Sequence, residues 1–149
     1  MGAFDRHFDF SDDQDVATGT LSSGSSVVST NVAYNAAAPT DTWKVAIDHQ
    51  LGGDVEWTLI VSDEAMAGSG ATLQCDLMTK DADASLSSGG TVVATYTFPA
   101  TSVVQTVKSI KIPAGTAIKA YLGIVYTAVG GNLTAGHITS HLGPAPIGN

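Results

Sequence analysis

The feature that most constrains this chain is a side-to-side alternation of apolar and polar residues, repeated between short breaks rich in glycine, serine and proline. Val55, Trp57, Leu59 and Val61 share one parity, and Glu56, Thr58 and Ser62 share the other. Leu73, Cys75 and Leu77 alternate with Thr72, Gln74 and Asp76, and Val92, Ala94, Tyr96 and Phe98 alternate with Val93, Thr95 and Thr97. A period of two sends successive side chains to opposite faces of a strand, so each run has one face for a core and one for solvent or a partner. Further strand-like runs fall at residues 25–33, 43–47, 104–112, 118–128 and 134–142, with a short one at 16–21. Between them stand "SSGSS", "AAAPTD", "LGGD", "AGSG", "SSGG", "FPAT", "IPAG" and "VGGN", which are turn-forming clusters. No amphipathic helix longer than about two turns is present, and residues 81–86 read as a loop with a turn of helix. The expectation is an all-β fold: a jelly-roll-like β-sandwich of about eight strands with an extended N-terminal arm.

At 149 residues the chain is long enough for one domain with a substantial core and needs no metal or disulfide to compensate for small size. The single cysteine, Cys75, rules out an internal disulfide framework and reads as a small buried hydrophobe. No run reaches the ~18 apolar residues of a membrane helix, and no basic-then-apolar leader opens the chain. The expectation is therefore synthesis in a reducing host cytoplasm, with no membrane partner. Net charge is −8, which argues against direct binding to DNA or RNA, because phosphates require concentrated lysine and arginine.

The charge is unevenly spread. All fourteen acids lie in residues 1–83, whereas residues 84–149 carry Lys108, Lys111 and Lys119 and no acid. Either strands from the two halves lie side by side and offset one another, or the surface has unlike ends that can meet copies of itself or another shell protein.

Two terminal segments stand apart. Residues 1–15 hold Phe4, Phe8 and Phe10 among five acids and one arginine, outside any closed strand pattern. They read as an arm that anchors on its own sandwich, a sister subunit or a neighbour, or as a cover for one end of the local core. Residues 16–149 form the single β-sandwich domain. Its short tail, from Gly143 onward, is held extended by Pro144 and Pro146. Phe4, Phe8, Phe10, Pro144 and Pro146 are the candidate protein-contact residues.

The stretch from Tyr121 to Gly143 contains His137 and His141. Four residues apart on a strand they are separated by about 13 Å. A zinc site needs further ligands and a supporting shell, and no glutamate stands between the two histidines as in a helical metalloprotease motif. Both rings have the opposite parity to Ile138 and Leu142 and point away from the core. The "GGN" before them reads as the turn of a hairpin. Asn132-Leu133-Thr134 matches a glycosylation triplet by chance composition. "DDQD" and "KDADAS" lack the spaced ligands and closing glutamate of a calcium loop, and read as solvated acids. No nucleophile elbow, phosphate-cradling loop or convergent acid–base set appears. The expectation is a protein that is not an enzyme, with no cofactor and no metal.

Three segments, "FDFSDDQDV", "GSGATLQCDLMTKDADASLSSGGTVVAT" and "IPAGTAIKAYLGIVYTAVGGNLTAGHITSHLG", together resemble the small capsid cement (decoration) proteins of tailed bacteriophages. The similarity is to the type found on Bordetella phage and related podophages, and it covers most of the chain in the same order. Its markers are the Pro-x-Gly turn before Tyr121-Leu122, then Tyr126-Thr127 and Thr134-Ala135-Gly136. The resemblance implies a β-sandwich on the outer surface of the virion's capsid, bridging adjacent copies of the major capsid protein. It also implies a homo-oligomer, with a dimer favoured and a trimer possible. Two other readings of the same pattern are a carbohydrate-binding module, which needs exposed aromatic platforms, and a phage tail or adhesin component.

Overall fold

The computed structural model describes residues 9–30, 33–34, 55–80, 86–113, 116, 118–119 and 121–144. Within these residues the chain is all β. The strands are β1 (Asp9–Asp15), β2 (Ser26–Val28), β3 (Ala33–Tyr34), β4 (Val55–Val61), β5 (Ala67–Gly68), β6 (Thr72–Lys80), β7 (Thr91–Pro99), β8 (Val107–Ile112), β9 (Tyr121–Val129), β10 (Leu133–Ala135) and β11 (His137–Pro144). Among the described residues no helix is long and apolar enough to cross a membrane.

One sheet has the order β1-β11-β4-β8, and the other runs β2-β9-β6-β7 with β3 also on β9. Every pairing is antiparallel: β1 with β11, β2 and β3 with β9, β4 with β8, and β6 with β7 and β9. If β2 and β3 are taken as two pieces of one strand, early strands pair with late ones around the β6–β7 hairpin. The whole is a long antiparallel ribbon wrapped into two sheets, which is the jelly roll. The short β5 and β10 pair at the side, where Leu21 also bridges Leu133.

The alternation seen in the sequence becomes the core. Along β4, Val55, Trp57, Leu59 and Val61 are buried while the residues between them are partly exposed. Leu73, Cys75 and Leu77 of β6, Leu122, Ile124 and Tyr126 of β9, and Ile138 and Leu142 of β11 fill the space between the sheets. The outer face of β6 is less simple than its pattern. Met78 is covered by Leu86 and Val125, and Asp76 is buried but accepts hydrogen bonds from Gln74 Nε2 (2.8 Å) and Thr95 Oγ1 (2.6 Å).

Polar contacts also lie inside the sandwich. The Tyr126 hydroxyl reaches from β9 across the core and shares a hydrogen bond with Ser11 Oγ of β1 at 2.8 Å. Trp57 Nε1 donates to Ser140 Oγ at 2.9 Å, tying β4 to β11. Burial pushes the Tyr126 phenol far above its ordinary range, so it stays a neutral hydrogen-bonding group. Tyr126→Phe is expected to cost about 1–2 kcal/mol, because it removes the buried hydroxyl that meets Ser11 Oγ across the core. Denaturant midpoints check this, and a Tyr126→Phe/Ser11→Ala double mutant cycle separates the pair from its surroundings.

Several sequence expectations are revised. Residues 9–15 are not arm: they form β1 within the sheet, and Phe10 is fully buried in the core, so it offers no contact surface to a partner. "DFSD" hides its strand character because two register shifts interrupt the alternation. The run at 16–21 is not a strand. Thr18 and Gly19 have positive φ (37° and 86°), and the Asp15 carboxylate accepts from the amides of Ala17 and Thr18, closing a turn instead. The strands on either side of "GGN" are not a hairpin. β9 belongs to one sheet and β11 to the other, with β10 between them on β5. A Cβ on Gly131 would collide with the Ser69 carbonyl oxygen, so that corner is too tight for a side chain. The expected strand at 43–47 and most of the turn at 81–86 lie outside the described residues.

Candidate functional site: strand edges and an acidic groove

Of the five residues singled out as contacts, Phe4, Phe8 and Pro146 lie outside the described residues, and Phe10 is in the core. Pro144 is the last residue of β11, opposite Val55 of β4, so the start of the tail is part of the sheet. What the described residues present outward is instead four strand edges and an acidic groove.

The edges differ in chemistry. β1 carries Asp9, Asp12, Asp13 and Asp15 and is broken by two register shifts. β2 is three residues long and β3 two. β8 carries Lys108 and Lys111. β7 is nine residues long, and no residue from Ala84 to Val107 is charged. Most large hydrophobic side chains exposed on the described surface belong to this same uncharged stretch: Val92, Val103, Val104 and Val107. Only Phe98 of β7 is fully buried, with Tyr96 packed edge-on to it at 4.8 Å. Lys108 Nζ sits 5.8 Å from the centre of the Tyr96 ring.

The groove, of about 580 Å³, is lined by Asp12, Asp13, Ile60, Ser62, Asp63, Gln105 and Thr139. Asp13 is its organising residue. The β1 bulge turns it to a positive φ of 50°, a conformation that Asp and Asn tolerate better than most residues. There Asp13 Oδ1 accepts from Ser62 Oγ (2.7 Å) and from the Asp63 amide (3.2 Å), and lies 3.2 Å from His137 Nδ1. The other ring nitrogen of His137 is 3.6 Å from Glu64 Oε2. His137 thus lies between two carboxylates, joining the β1 bulge, the start of β11 and the segment after β4. Asp13, Asp63 and His137 each offer one ligand atom within 4.8 Å of the others. Asp13 Oδ1 and the His137 ring already engage each other, Asp63 joins through its backbone amide, and the arrangement clamps three segments. The sequence reading had placed His137 outward on its strand, which holds, since residues 137, 139 and 141 are half-buried beside buried 138, 140 and 142. It missed Asp13 and Glu64 as partners, because 124 and 73 residues separate them from His137. Asn132 also has a structural task, accepting from the Ser23 amide at 3.0 Å.

The hydrogen bond from Ser62, aided by His137 and the Asp63 amide, holds the Asp13 carboxyl below the usual carboxylate value against the opposing effect of desolvation. The unfolded chain therefore takes up a proton at a higher pH than the native state does. The stabilisation is fully present above the unfolded value of ~3.9 and is lost as pH falls through the lower native one. Asp13→Asn keeps the backbone conformation and removes this linkage. Its stability deficit against the parent, measured by urea unfolding, is expected to shrink between pH 5 and pH 2.5.

Fold and surface together define a class: a β-sandwich whose described residues present an uncharged edge and an acidic groove. The profile of Bbp16, a Bordetella phage protein family, matches residues 21–142, and the chain belongs to that family. No curated protein matches it.

Proposed function

We propose that this protein is a non-enzymatic cement protein of a phage particle, binding the outside of the head and bridging adjacent major capsid proteins. The observation that carries this reading is the match to a Bordetella phage family across residues 21–142, on a jelly roll whose outward features are adhesive ones. A long uncharged edge with exposed valines and an acidic groove offer two chemically different contacts on one rigid body. Once one contact to the shell forms, the second is intramolecular, so modest interfaces gain avidity and opening the shell requires several simultaneous breakages. The segment before β1, with Phe4 and Phe8, and the tail with Pro146 are further contact elements in this reading.

Among the described residues, a sugar-binding role draws no support from the aromatic side chains. Trp57, Tyr126, Phe10 and Phe98 are all core residues, and Tyr96 and Tyr121 are half-buried. Cryo-electron microscopy of purified virions tests the proposal directly: density for this chain is expected on the outer head surface. Its absence from heads, or its presence on the tail alone, refutes the reading. Deleting residues 2–8 is expected to reduce head occupancy while leaving the β-sheet circular dichroism unchanged; unaltered occupancy removes the arm from the mechanism.

A further inference from the structure

An imidazole set among carboxylates is a donor group for divalent transition ions, whereas calcium and magnesium favour oxygen alone. His137 and His141 stand too far apart on their strand to share one ion. The fold instead brings two aspartates to His137 from elsewhere in the chain: Asp13 in the β1 bulge and Asp63 just after β4. One ligand atom from each of the three lies within 4.8 Å of the others. Asp13 Oδ1 and His137 Nδ1 are 3.2 Å apart. Two ligands of a tetrahedral zinc ion stand about 3.4 Å from each other, so this pair is spaced to hold one. Asp63 is exposed, and its carboxylate has no hydrogen-bond partner among the described residues, so a side-chain rotation brings it in as the third ligand.

The supporting groups are in place as well. A ligating histidine ordinarily gives its second N–H to a carboxylate, and ligating carboxylates are themselves hydrogen-bonded. Glu64 Oε2 stands 3.6 Å from His137 Nε2 and accepts from the Gly136 amide at 3.3 Å. Asp13 Oδ1 accepts from Ser62 Oγ and from the Asp63 amide, and the Asp13 amide donates to Thr139 Oγ1 at 2.9 Å. The groove of about 580 Å³ gives an ion a way in and leaves room for water beside it. No lysine or arginine is among the residues that line it, so no fixed cation offsets Asp12, Asp13 and Asp63 there.

We propose that Asp13, Asp63 and His137 bind one zinc ion, with Glu64 orienting the imidazole from its far side and a water from the groove as fourth ligand. The ion replaces the Asp13–His137 hydrogen bond with two bonds of its own, so the clamp keeps its shape and gains a third tie through Asp63. Its ligands come from an edge strand, the segment after β4 and the start of β11, so it pins the bulged edge to the middle of the sheet. Three protein ligands and one open position distinguish it from a closed structural site with four. The inference does not rest on the shell reading, and its test uses the isolated protein.

The full-length chain is titrated with zinc chloride by calorimetry, and nitrogen-15 NMR follows its histidine side chains. One site of micromolar affinity or better is expected, with the His137 Nδ1 resonance shifted by zinc and those of His141 unmoved. Asp63→Asn keeps the backbone amide that holds Asp13 and removes only a ligand, so it separates metal binding from the clamp. It is expected to weaken zinc binding at least about tenfold, and Glu64→Gln by about tenfold. His137→Gln is expected to abolish binding; should that variant fail to fold, Asp63→Asn and the NMR shift carry the test. Asp12→Asn, which removes a groove acid outside the ligand set, is expected to leave the affinity close to the parent's, as is millimolar calcium or magnesium. A parent whose His137 resonance ignores zinc overturns the proposal, as does an affinity that Asp63→Asn leaves unchanged. An equal loss from Asp12→Asn, or displacement of zinc by calcium, also overturns it, since either marks diffuse attraction to acids rather than coordination.

Discussion

Replacing Phe10 with alanine is expected to lower the unfolding free energy by about 3–5 kcal/mol, the usual cost of emptying a buried aromatic site. The ring comes from β1, an edge strand whose neighbours in sequence are aspartates, yet it is fully enclosed between the sheets. Removing it leaves a void lined by side chains held in place by both sheets, so collapse cannot fill it. Among the described residues β1 is also paired on one side only, to β11, and so relies more than a central strand on its side-chain anchor. Against a typical total of about 5–15 kcal/mol, such a loss is a large fraction of the stability. Urea unfolding of Phe10→Ala beside a deletion of residues 2–8 is the informative pair. The substitution is expected to shift the midpoint strongly and the deletion hardly at all. A shift below ~1 kcal/mol for Phe10→Ala would show that the ring is not a core residue in solution.

The second large effect is expected at Trp57. Its strand, β4, is flanked by β11 and β8, and its ring is fully buried at the centre of the four-stranded sheet. Trp57→Ala removes the largest buried side chain among the described residues and leaves the Ser140 hydroxyl without its indole donor. The expected loss is again about 3–5 kcal/mol. For a domain of this length that corresponds to a fall in melting temperature on the order of 10 °C. Differential scanning calorimetry measures it. Trp57→Phe divides the effect, since it restores much of the volume but not the hydrogen bond; recovery of the parent's stability by phenylalanine would show that the Ser140 contact contributes nothing.

The fold class was open to reading because period-two alternation survives wherever a strand has one face in a core. β4, β6, β9 and β11 all lie where their apolar parity put them, and Cys75 is the small buried hydrophobe its solitude implied. β1 was missed because its two bulges break the period and its aspartates obscure one buried ring. The "GGN" turn was assigned to the wrong connection for a different reason. Alternation states that a strand has a buried side, and that holds equally whether its successor pairs beside it or packs opposite it across the core. The uncharged edge and the acidic groove were even less legible. An uncharged segment reads the same whether its strand lies inside a sheet or at the rim, and the clamp of Asp13, Glu64 and His137 joins residues far apart in the chain.

The sequence by itself determined that this protein is a β-sandwich with an apolar core and an uneven distribution of charge, because local periodicity and composition need no knowledge of partners. Only the tertiary structure decided which strands are edges, which of those edges is uncharged, and which distant carboxylates meet His137. Those are properties of long-range antiparallel pairing, and wrapping the ribbon into two sheets brings together residues that no local pattern relates.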